Sequence, residues 1–166
     1  PPKLKNINAN YECILKEIEL DALIKKLSKA KLIVLDTETD GLDFTTAELV
    51  GISLSAKEGE GAYIPISHDY DEAPQQLTKE LVLKKLKPLL EKVPIVGQHI
   101  KFDRNVLSQH GLELNNIESD SMLMSYVLDS TATRHNLDAI AKFYLNYEAT
   151  SYEEVAGKGV KQITFN

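Results

Sequence analysis

The most constraining feature of this sequence is an apolar run that ends in two acids, Leu32-Ile33-Val34-Leu35-Asp36-Thr37-Glu38. Short runs of branched apolar side chains, bounded by a glycine, are typical of buried central strands. Side chains two positions apart in a strand point to the same face, so Asp36 and Glu38 are expected to lie together at the strand end. Two like charges held together disfavour ionisation of one of them, and a divalent cation removes that conflict by taking carboxylate oxygens. The alternative is that both acids are solvated and cap a turn at Asp40-Gly41.

Length and composition predict one domain that does not cross a membrane. The chain has 166 residues, 43% of them hydrophobic, which is enough for a sizeable core. Its net charge of -6 provides no general basic field, so any contact with nucleic acid must be local. The single cysteine, Cys13, excludes an internal disulfide and suits a reducing compartment. No apolar run approaches the roughly 20 residues of a membrane helix, and no signal peptide is recognisable at the N-terminus.

Hydrophobic periodicity predicts an α/β chain with a mixed central sheet flanked by helices, because strands come first and helices then alternate with strands. Three successive strands suggest an antiparallel meander that begins at the acidic strand, with residues 1–10 as a linker. The predicted strands are 11–15, 32–37, 49–54, 62–66, 94–97 and 117–120, and the predicted helices are 19–29, 79–92, 101–110, 122–128, 137–145 and 151–156. Thr78, Asn136 and Ser151 are expected to be N-caps. Pro88 is expected to bend helix 79–92 or to end it early.

A third acid follows in Gly97-Gln98-His99-Ile100-Lys101-Phe102-Asp103-Arg104, where Asp103 falls in the first turn of a helix. An acid is favourable at a helix start, so this position has a purely structural explanation by itself. Together with the Asp-x-Glu strand, however, it resembles the proofreading 3′→5′ exonuclease domain of bacterial DNA polymerase I. That family belongs to the DnaQ-like, ribonuclease H-related group with four acidic residues. Further segments resemble the family in order up to the last residue: Asp120 to Leu128, Arg134 to Asp138, Glu153-Glu154, Ala156 to Gly159, and Gln162 to Asn166.

The resemblance implies a ribonuclease H-like exonuclease domain over residues 11–166. Asp36 and Glu38 match metal ligands, with Asp36 bridging two ions, and Asp103 matches the acid that serves the second ion. The residues implied to contact DNA are Thr39, Leu42, Gln98, His99, Phe102, Arg134 and Tyr152. Of these, Leu42 corresponds to a wedge against the terminal bases, Arg134 to a residue near the phosphates, and Tyr152 to an aromatic that stacks on a base. A core leucine, a surface arginine and a half-buried tyrosine remain the alternatives for these three.

The activity implied by the resemblance is two-metal hydrolysis with Mg²⁺, or with Mn²⁺ or Zn²⁺ in its place. It would release nucleoside 5′-monophosphates from a single-stranded or frayed 3′ end of DNA, with little reading of base sequence. The implied partner is the polymerase domain of the parent chain, in the bacterial cytoplasm and without a membrane. Two rival readings are a catalytically silent structural domain of a DNA polymerase I and a related 3′→5′ exoribonuclease.

Two departures from the family pattern qualify the comparison. His99 stands where the family has asparagine; histidine can still donate a hydrogen bond, but its charge varies near neutral pH. The third family motif, Tyr-x-x-x-Asp, is expected beyond Asn166, so the chain is expected to be truncated before it. Tyr144 and Glu148 have similar spacing, which we interpret as coincidence. Asp120 is a second candidate for a fourth ligand, but its expected role is to cap a helix.

Overall fold

The acidic run forms the second strand of a six-stranded mixed sheet in the computed structural model, which describes residues 9–148. The strands are β1 (Asn10–Cys13), β2 (Ile33–Thr39), β3 (Leu49–Ser55), β4 (Glu60–Pro65), β5 (Ile95–Gly97) and β6 (Ile117–Asp120). Their order across the sheet is β1-β4-β3-β2-β5-β6. Strands β2, β3 and β4 form the predicted antiparallel meander, while β1 joins β4, β5 joins β2 and β6 joins β5 in parallel. The predicted mixed sheet is confirmed.

The helices of the described region are α1 (Glu17–Leu27), α2 (Lys79–Lys92), α3 (Ile100–Gln109), α4 (Ser121–Leu128) and α5 (Leu137–Ile140). The Thr78 and Asn136 side chains accept hydrogen bonds from Leu81 and Ala139, as expected of N-caps. The predicted single helix 137–145 is wrong in detail, because α5 passes into a π-helical segment, Ala141–Leu145. The predicted helix 151–156 lies outside the described residues. None of the described helices is long and apolar enough to span a membrane.

Several predicted boundaries differ in the structure, whereas the predicted bounds of α2 are confirmed. Helix α1 begins two residues early because the Glu19 carboxylate accepts the backbone N–H groups of Leu15 and Lys16, each at 3.0 Å. Strand β1 begins at Asn10, inside the predicted linker. Of the two expected effects of Pro88, a bend or an early end, the early end does not occur: α2 continues to Lys92, the end of the predicted range, and the leucines at 89 and 90 are buried in the core. Packing of this last turn outweighs the hydrogen bond that proline removes.

The core lies against one face of the sheet, so β2 is buried on one side only. Ile33, Leu35 and Thr37 are buried, whereas Val34 and Asp36 are solvent-accessible and Glu38 is half-buried. The prediction that β2 is a buried strand is therefore wrong for the face that carries Val34 and Asp36. The alternation of side chains in a strand places Asp36 and Glu38 together on that open face.

Candidate active site

The two acids of β2 face small side chains on the neighbouring strand. Asp36 lies opposite Ser53 and Glu38 lies opposite Gly51 in the antiparallel ladder with β3. The register shifts between Glu38 and Thr39, so β2 leaves the regular ladder immediately after the second acid. A Cβ atom on Gly51 would overlap the Tyr63 side chain, so glycine allows the tyrosine ring to lie close to the acids. The result is a shallow acidic trough on the open face.

Asp103 reaches this strand from α3 and bonds to the residue between the two acids. The Asp103 Oδ1 atom accepts the backbone N–H of Thr37 at 2.8 Å and its hydroxyl at 2.7 Å. Pairing between β2 and β5 covers only Ile33 and Val34, so the β2 backbone beyond has no strand partner on that side. The carboxylate supplies the missing acceptor for the Thr37 N–H. This buried bond, with Asp103 only 3% exposed, ties the helix acid to the Asp-x-Glu strand.

The electrostatics show that the three carboxylates form one cluster. Desolvation, followed by the charge of Asp103, raises the pKa of Asp36 to about 6. Desolvation, followed by the charges of Asp36 and Asp103, raises the pKa of Glu38 to about 7. Solvent reaches Asp36, yet the surrounding protein removes much of the water that would hydrate its charge. The pKa of Asp103 is also raised by burial, although its two bonds from Thr37 oppose that rise.

The turn between β5 and α3 is tightly packed and carries two predicted DNA contacts. A Cβ atom on Gly97 would lie 2.5 Å from Ile100 Cδ1 and 3.0 Å from the Leu35 carbonyl oxygen, so only glycine fits. His99 follows in the left-handed conformation, with φ of +56°, and its side chain is exposed. Gln98 is half-buried, and its amide donates to the His135 carbonyl at 2.9 Å.

Asp120 is a helix cap, as expected, and it caps more than its own helix. Its carboxylate accepts the N–H groups of Met122 and Leu123 in α4, and also those of His99 and Ile100 at the start of α3. These four backbone donors account for the buried Asp120 carboxylate as a shared cap of two helix starts. The alternative fourth acid, Glu148, pairs with Lys142 at 2.6 Å on the surface, in agreement with a coincidental spacing.

The loop after β2 presents the predicted wedge residue to solvent. Leu42 is 95% exposed, which excludes the alternative of a core leucine. The loop is closed by Asp40, whose carboxylate accepts the Glu48 N–H at 2.8 Å. The Thr39 hydroxyl donates to the Gly41 carbonyl at 2.8 Å, so it remains an acceptor for other groups.

Three predicted DNA contacts remain, Phe102, Arg134 and Tyr152. Arg134 is exposed, and Phe102 is half-buried against the core. Tyr152 lies outside the described residues. Next to Arg134, His135 is only 2% exposed and has φ of +61°. Its ring bonds to the Ser125 hydroxyl at 2.8 Å, so a buried anchor holds the backbone beside the arginine.

Two residues that the sequence reasoning missed also belong to the site. Thr37 binds Asp103. The only feature of the sequence that pointed to Thr37 is its position between the two acids, although its own side chain lies on the opposite face of the strand. The Tyr63 hydroxyl lies 2.6 Å from His68 Nε2. Burial and then the charge of Glu38 raise the pKa of Tyr63, which indicates that its ring lies near that acid. No local pattern marked Tyr63, because it comes from a strand that is not adjacent to β2.

The donor chemistry of the cluster fits a hard divalent cation, since Asp36, Glu38 and Asp103 present oxygen ligands in a partly desolvated place. Among residues 9–148, however, no group of three or more His, Cys, Asp or Glu side chains is arranged so that it could hold a metal ion as it stands.

Comparison with known proteins identifies the family. A family model described as "3'-5' exonuclease" matches residues 11–166. The chain belongs to the 3′-5′ exonuclease family of DNA polymerase I. It is 48% identical over 161 residues to DNA polymerase I of Pseudomonas aeruginosa, a match that covers 95% of this chain and 18% of that protein. It is 41% identical over 152 residues to DNA polymerase I of Borreliella burgdorferi, covering 91% of this chain and 16% of that protein. The chain thus spans less than a fifth of these relatives.

Solved structures support the fold independently. RNase D of Escherichia coli superimposes with a TM-score of 0.65 at 19% identity, covering 87% of this chain and 36% of that one. NrnC of Brucella melitensis, solved with bound Mg²⁺, superimposes with a TM-score of 0.59 at 21% identity, covering 87% of this chain and 65% of that one. At these identities the likeness concerns the fold, which is the predicted ribonuclease H-like architecture. Family and fold together make this exonuclease domain part of a hydrolytic nuclease family.

Proposed function

We propose that this domain removes nucleotides one at a time from a single-stranded or frayed 3′ end of DNA and releases nucleoside 5′-monophosphates. The observation that carries the proposal is the cluster of Asp36, Glu38 and Asp103 on β2 and α3. The pKa of each acid is raised, that of Asp36 partly by the charge of Asp103 and that of Glu38 partly by the charges of Asp36 and Asp103. Clusters of perturbed carboxylates are expected where negative charge must be neutralised by a cation. The family match supplies the direction of degradation.

Asp36, Glu38 and Asp103 would hold Mg²⁺, or Mn²⁺ or Zn²⁺, as two ions when the ligand set is complete. The metal would supply an activated water and stabilise the leaving 3′ oxygen. The contribution of Thr37 is to orient Asp103 and favour its charged form through two hydrogen bonds. The Mg²⁺ bound to the structural neighbour NrnC agrees with this assignment.

The residues around the three acids would bind the 3′ end of the DNA. Leu42, exposed in the loop after β2, would wedge against the terminal base, and the exposed Arg134 would pair with a phosphate. The Gln98 side chain donates one amide N–H to the His135 carbonyl, and its second amide N–H would donate to the nucleic acid. The exposed His99 ring would donate another bond to the same strand. Thr39 and Phe102 would line the same site, and Tyr152 would stack on a base.

The parent protein would combine this domain with a polymerase domain, as its curated relatives are DNA polymerases I. The two activities would proofread DNA in the bacterial cytoplasm. An exoribonuclease is the second candidate, because RNase D of Escherichia coli shares the fold. The high identity to DNA polymerase I favours DNA as substrate.

In the decisive experiment, the full-length protein is incubated with Mg²⁺ and a 5′-labelled single-stranded oligonucleotide. The oligonucleotide is DNA in one reaction and RNA in the other. The expected product is a DNA ladder that shortens by one nucleotide at a time, with slower digestion of paired ends because unstacking costs a few kcal/mol. Asp36→Ala should abolish the ladder. Release of the 5′ label as a mononucleotide at the start would show the wrong polarity, and faster digestion of RNA would favour the second candidate. An intact substrate after incubation with the wild type would support a silent structural domain.

A further inference from the structure

The buried carboxylate of Asp120 joins two helix starts at the edge of the site. Its Oδ1 atom accepts the N–H groups of Met122 at 2.8 Å and Leu123 at 3.3 Å, which caps α4 in the ordinary way. The same atom accepts the His99 N–H at 3.1 Å, and Oδ2 accepts the Ile100 N–H at 2.9 Å. A cap for one helix needs only the first two bonds, so the bonds to α3 require another explanation.

The position of Asp120 in the sheet makes this double contact possible. Asp120 is the last residue of β6 and pairs with Gly97, the last residue of β5. The two parallel strands therefore end side by side, and α3 and α4 start from the same edge. At 6% exposure, the carboxylate is nearly removed from water, and its four backbone donors compensate for that loss.

What Asp120 fixes is the first turn of α3, which carries site residues. Asp103 lies three residues after Ile100, so it projects from the turn whose N–H groups Asp120 binds. The other end of that turn is fixed by the bonds from Thr37 to Asp103. His99 at the turn's start has a left-handed backbone, which few non-glycine residues adopt without support.

A second contact from the same junction acts in the same direction. The Ser121 hydroxyl, next to Asp120 in sequence, lies 2.6 Å from the Gln98 side-chain oxygen and 3.2 Å from the Gly97 carbonyl oxygen. The start of α4 thus holds both the backbone and a side chain of the β5–α3 turn. These bonds are independent of the Asp120 carboxylate.

We propose that Asp120 is a positioning residue for the exonuclease reaction, acting through the first turn of α3 to place Asp103 against β2. It does not touch the metal or the nucleic acid. This inference rests on the proposed function, and it adds a dependence of metal binding on a carboxylate outside the ligand cluster. Misplacement of a catalytic group by about 1 Å costs on the order of 10²-fold in rate, so the effect is measurable.

The test uses substitutions that distinguish the effect of Asp120 on the start of α3 from its effect on the start of α4. Asp120→Ser keeps a good N-cap for α4, but its short side chain cannot reach the N–H groups of His99 and Ile100. Asp120→Asn keeps the size and one acceptor oxygen, but its NH2 group replaces the oxygen that accepts the Ile100 N–H, so that bond to the start of α3 is lost. Thr78→Ala is the matched control, since it removes the N-cap of α2, a helix that carries none of the proposed site residues.

Each variant is made in the full-length protein and measured in two ways. Hydrogen exchange of the first α3 turn should accelerate at least about tenfold in Asp120→Ser while the start of α4 stays protected. The Mn²⁺ concentration for half-maximal exonuclease rate should rise at least about fivefold, and kcat should fall by on the order of tenfold or more, with KM for the oligonucleotide changed much less. Asp120→Asn should move both readouts in the same direction, and Thr78→Ala should move neither.

Wild-type exchange of α3 and wild-type Mn²⁺ dependence in Asp120→Ser would overturn the inference and leave Asp120 as a cap of α4 alone. If Asp120→Ser does not fold, the same two readouts in Asp120→Asn decide the question. The exchange measurement does not need nuclease activity. An inactive wild type would therefore refute the proposed function, while exchange would still decide the role of Asp120.

Discussion

At the scale of single residues, the folded structure disfavours ionisation of the Glu38 carboxyl group. Its pKa is raised from 4.5 to about 7 in the folded state, first by desolvation and then by Asp36 and Asp103. A carboxyl group with a raised folded pKa binds protons on folding, so ionisation destabilises the fold. The penalty is absent below pH 4.5, grows as the pH rises and is complete above about pH 7.

We therefore predict that Glu38→Gln raises the melting temperature of the metal-free chain at pH 7.5 and leaves it unchanged at pH 4. In the full-length protein, in which the proposed Mg²⁺ site would be complete, the same variant should lose most of the thermal stabilisation that Mg²⁺ confers by binding the folded state. Thermal unfolding at the two pH values with and without Mg²⁺ measures both effects. Glu118→Gln, at an exposed position of β6, is the control and should change neither. A lower melting temperature for Glu38→Gln at pH 7.5 would contradict the electrostatic account.

Thr37 offers a second residue-scale prediction, because its hydroxyl donates to buried Asp103 at 2.7 Å. Thr37→Val removes that donor at nearly constant size and leaves the backbone bond. Loss of a buried hydrogen bond should cost about 1–3 kcal/mol of folding free energy. The pKa of Asp103 should rise further, so the exonuclease rate should need a higher pH.

The matched control for Thr37 is Thr45, which donates to Asp43 with the same pair of backbone and hydroxyl bonds, at 3.0 and 2.7 Å, in an exposed turn. Thr45→Val should leave the pH–rate profile of the full-length protein unchanged. Identical profiles for Thr37→Val and the wild type would show that the hydroxyl does not help Asp103 to ionise.

At the scale of elements, the site depends on the close approach of α3 to the ends of β2 and β5. Gly97 lies at this junction, where a Cβ atom would meet Ile100 at 2.5 Å and the Leu35 backbone at 3.0 Å. The backbone atom cannot move without disturbing β2. The geometry of the junction is therefore a property of the strand ends and the helix start together.

We predict that Gly97→Ala destabilises the domain by about 1–3 kcal/mol through overpacking and lowers the exonuclease rate by displacing α3. Chemical denaturation and the 3′-end assay measure the two effects. Gly41→Ala provides the control near the same site, because its Cβ would meet only the Ala47 side chain, at 3.9 Å. Equal stability of both variants would show that the junction tolerates a methyl group.

At the scale of the whole molecule, the acids of the described region do not by themselves present a complete metal site. The charges of Asp36 and Asp103 raise the pKa of Glu38, yet no group of three possible ligands in residues 9–148 is arranged to hold a metal ion. The family resemblance implies one further acid and a tyrosine, and the chain spans less than a fifth of its curated relatives. An attacking water without its orienting partners would be poorly placed.

We predict that the 166-residue chain cuts a single-stranded 3′ end at least on the order of 10²-fold more slowly than a longer chain that continues past Asn166. The 5′-labelled ladder assay compares the two chains at equal Mg²⁺ concentration. Substitution of the added aspartate by alanine should return the longer chain to the slower rate. Equal rates for the two unmodified chains would show that the fourth acid lies within residues 1–166.

Sequence alone determined the features that depend on local pattern. The Asp-x-Glu run predicted a strand with two acids on one face, and the ordered motifs predicted the family and the ribonuclease H-like sheet. Caps at Thr78, Asp120 and Asn136 were also predictable, since a cap bonds to a backbone group two or three positions away.

Only the tertiary structure decided the contacts between distant parts of the chain. Thr37 and Asp103 are 66 positions apart, and Asp120 binds a helix start 20 positions before it. The exposure of Val34, the continuation of α2 through Pro88 and the proximity of Tyr63 to Glu38 likewise depend on what packs against each element. Hydrophobic periodicity reports which face of an element is apolar, but it does not report which other element covers that face.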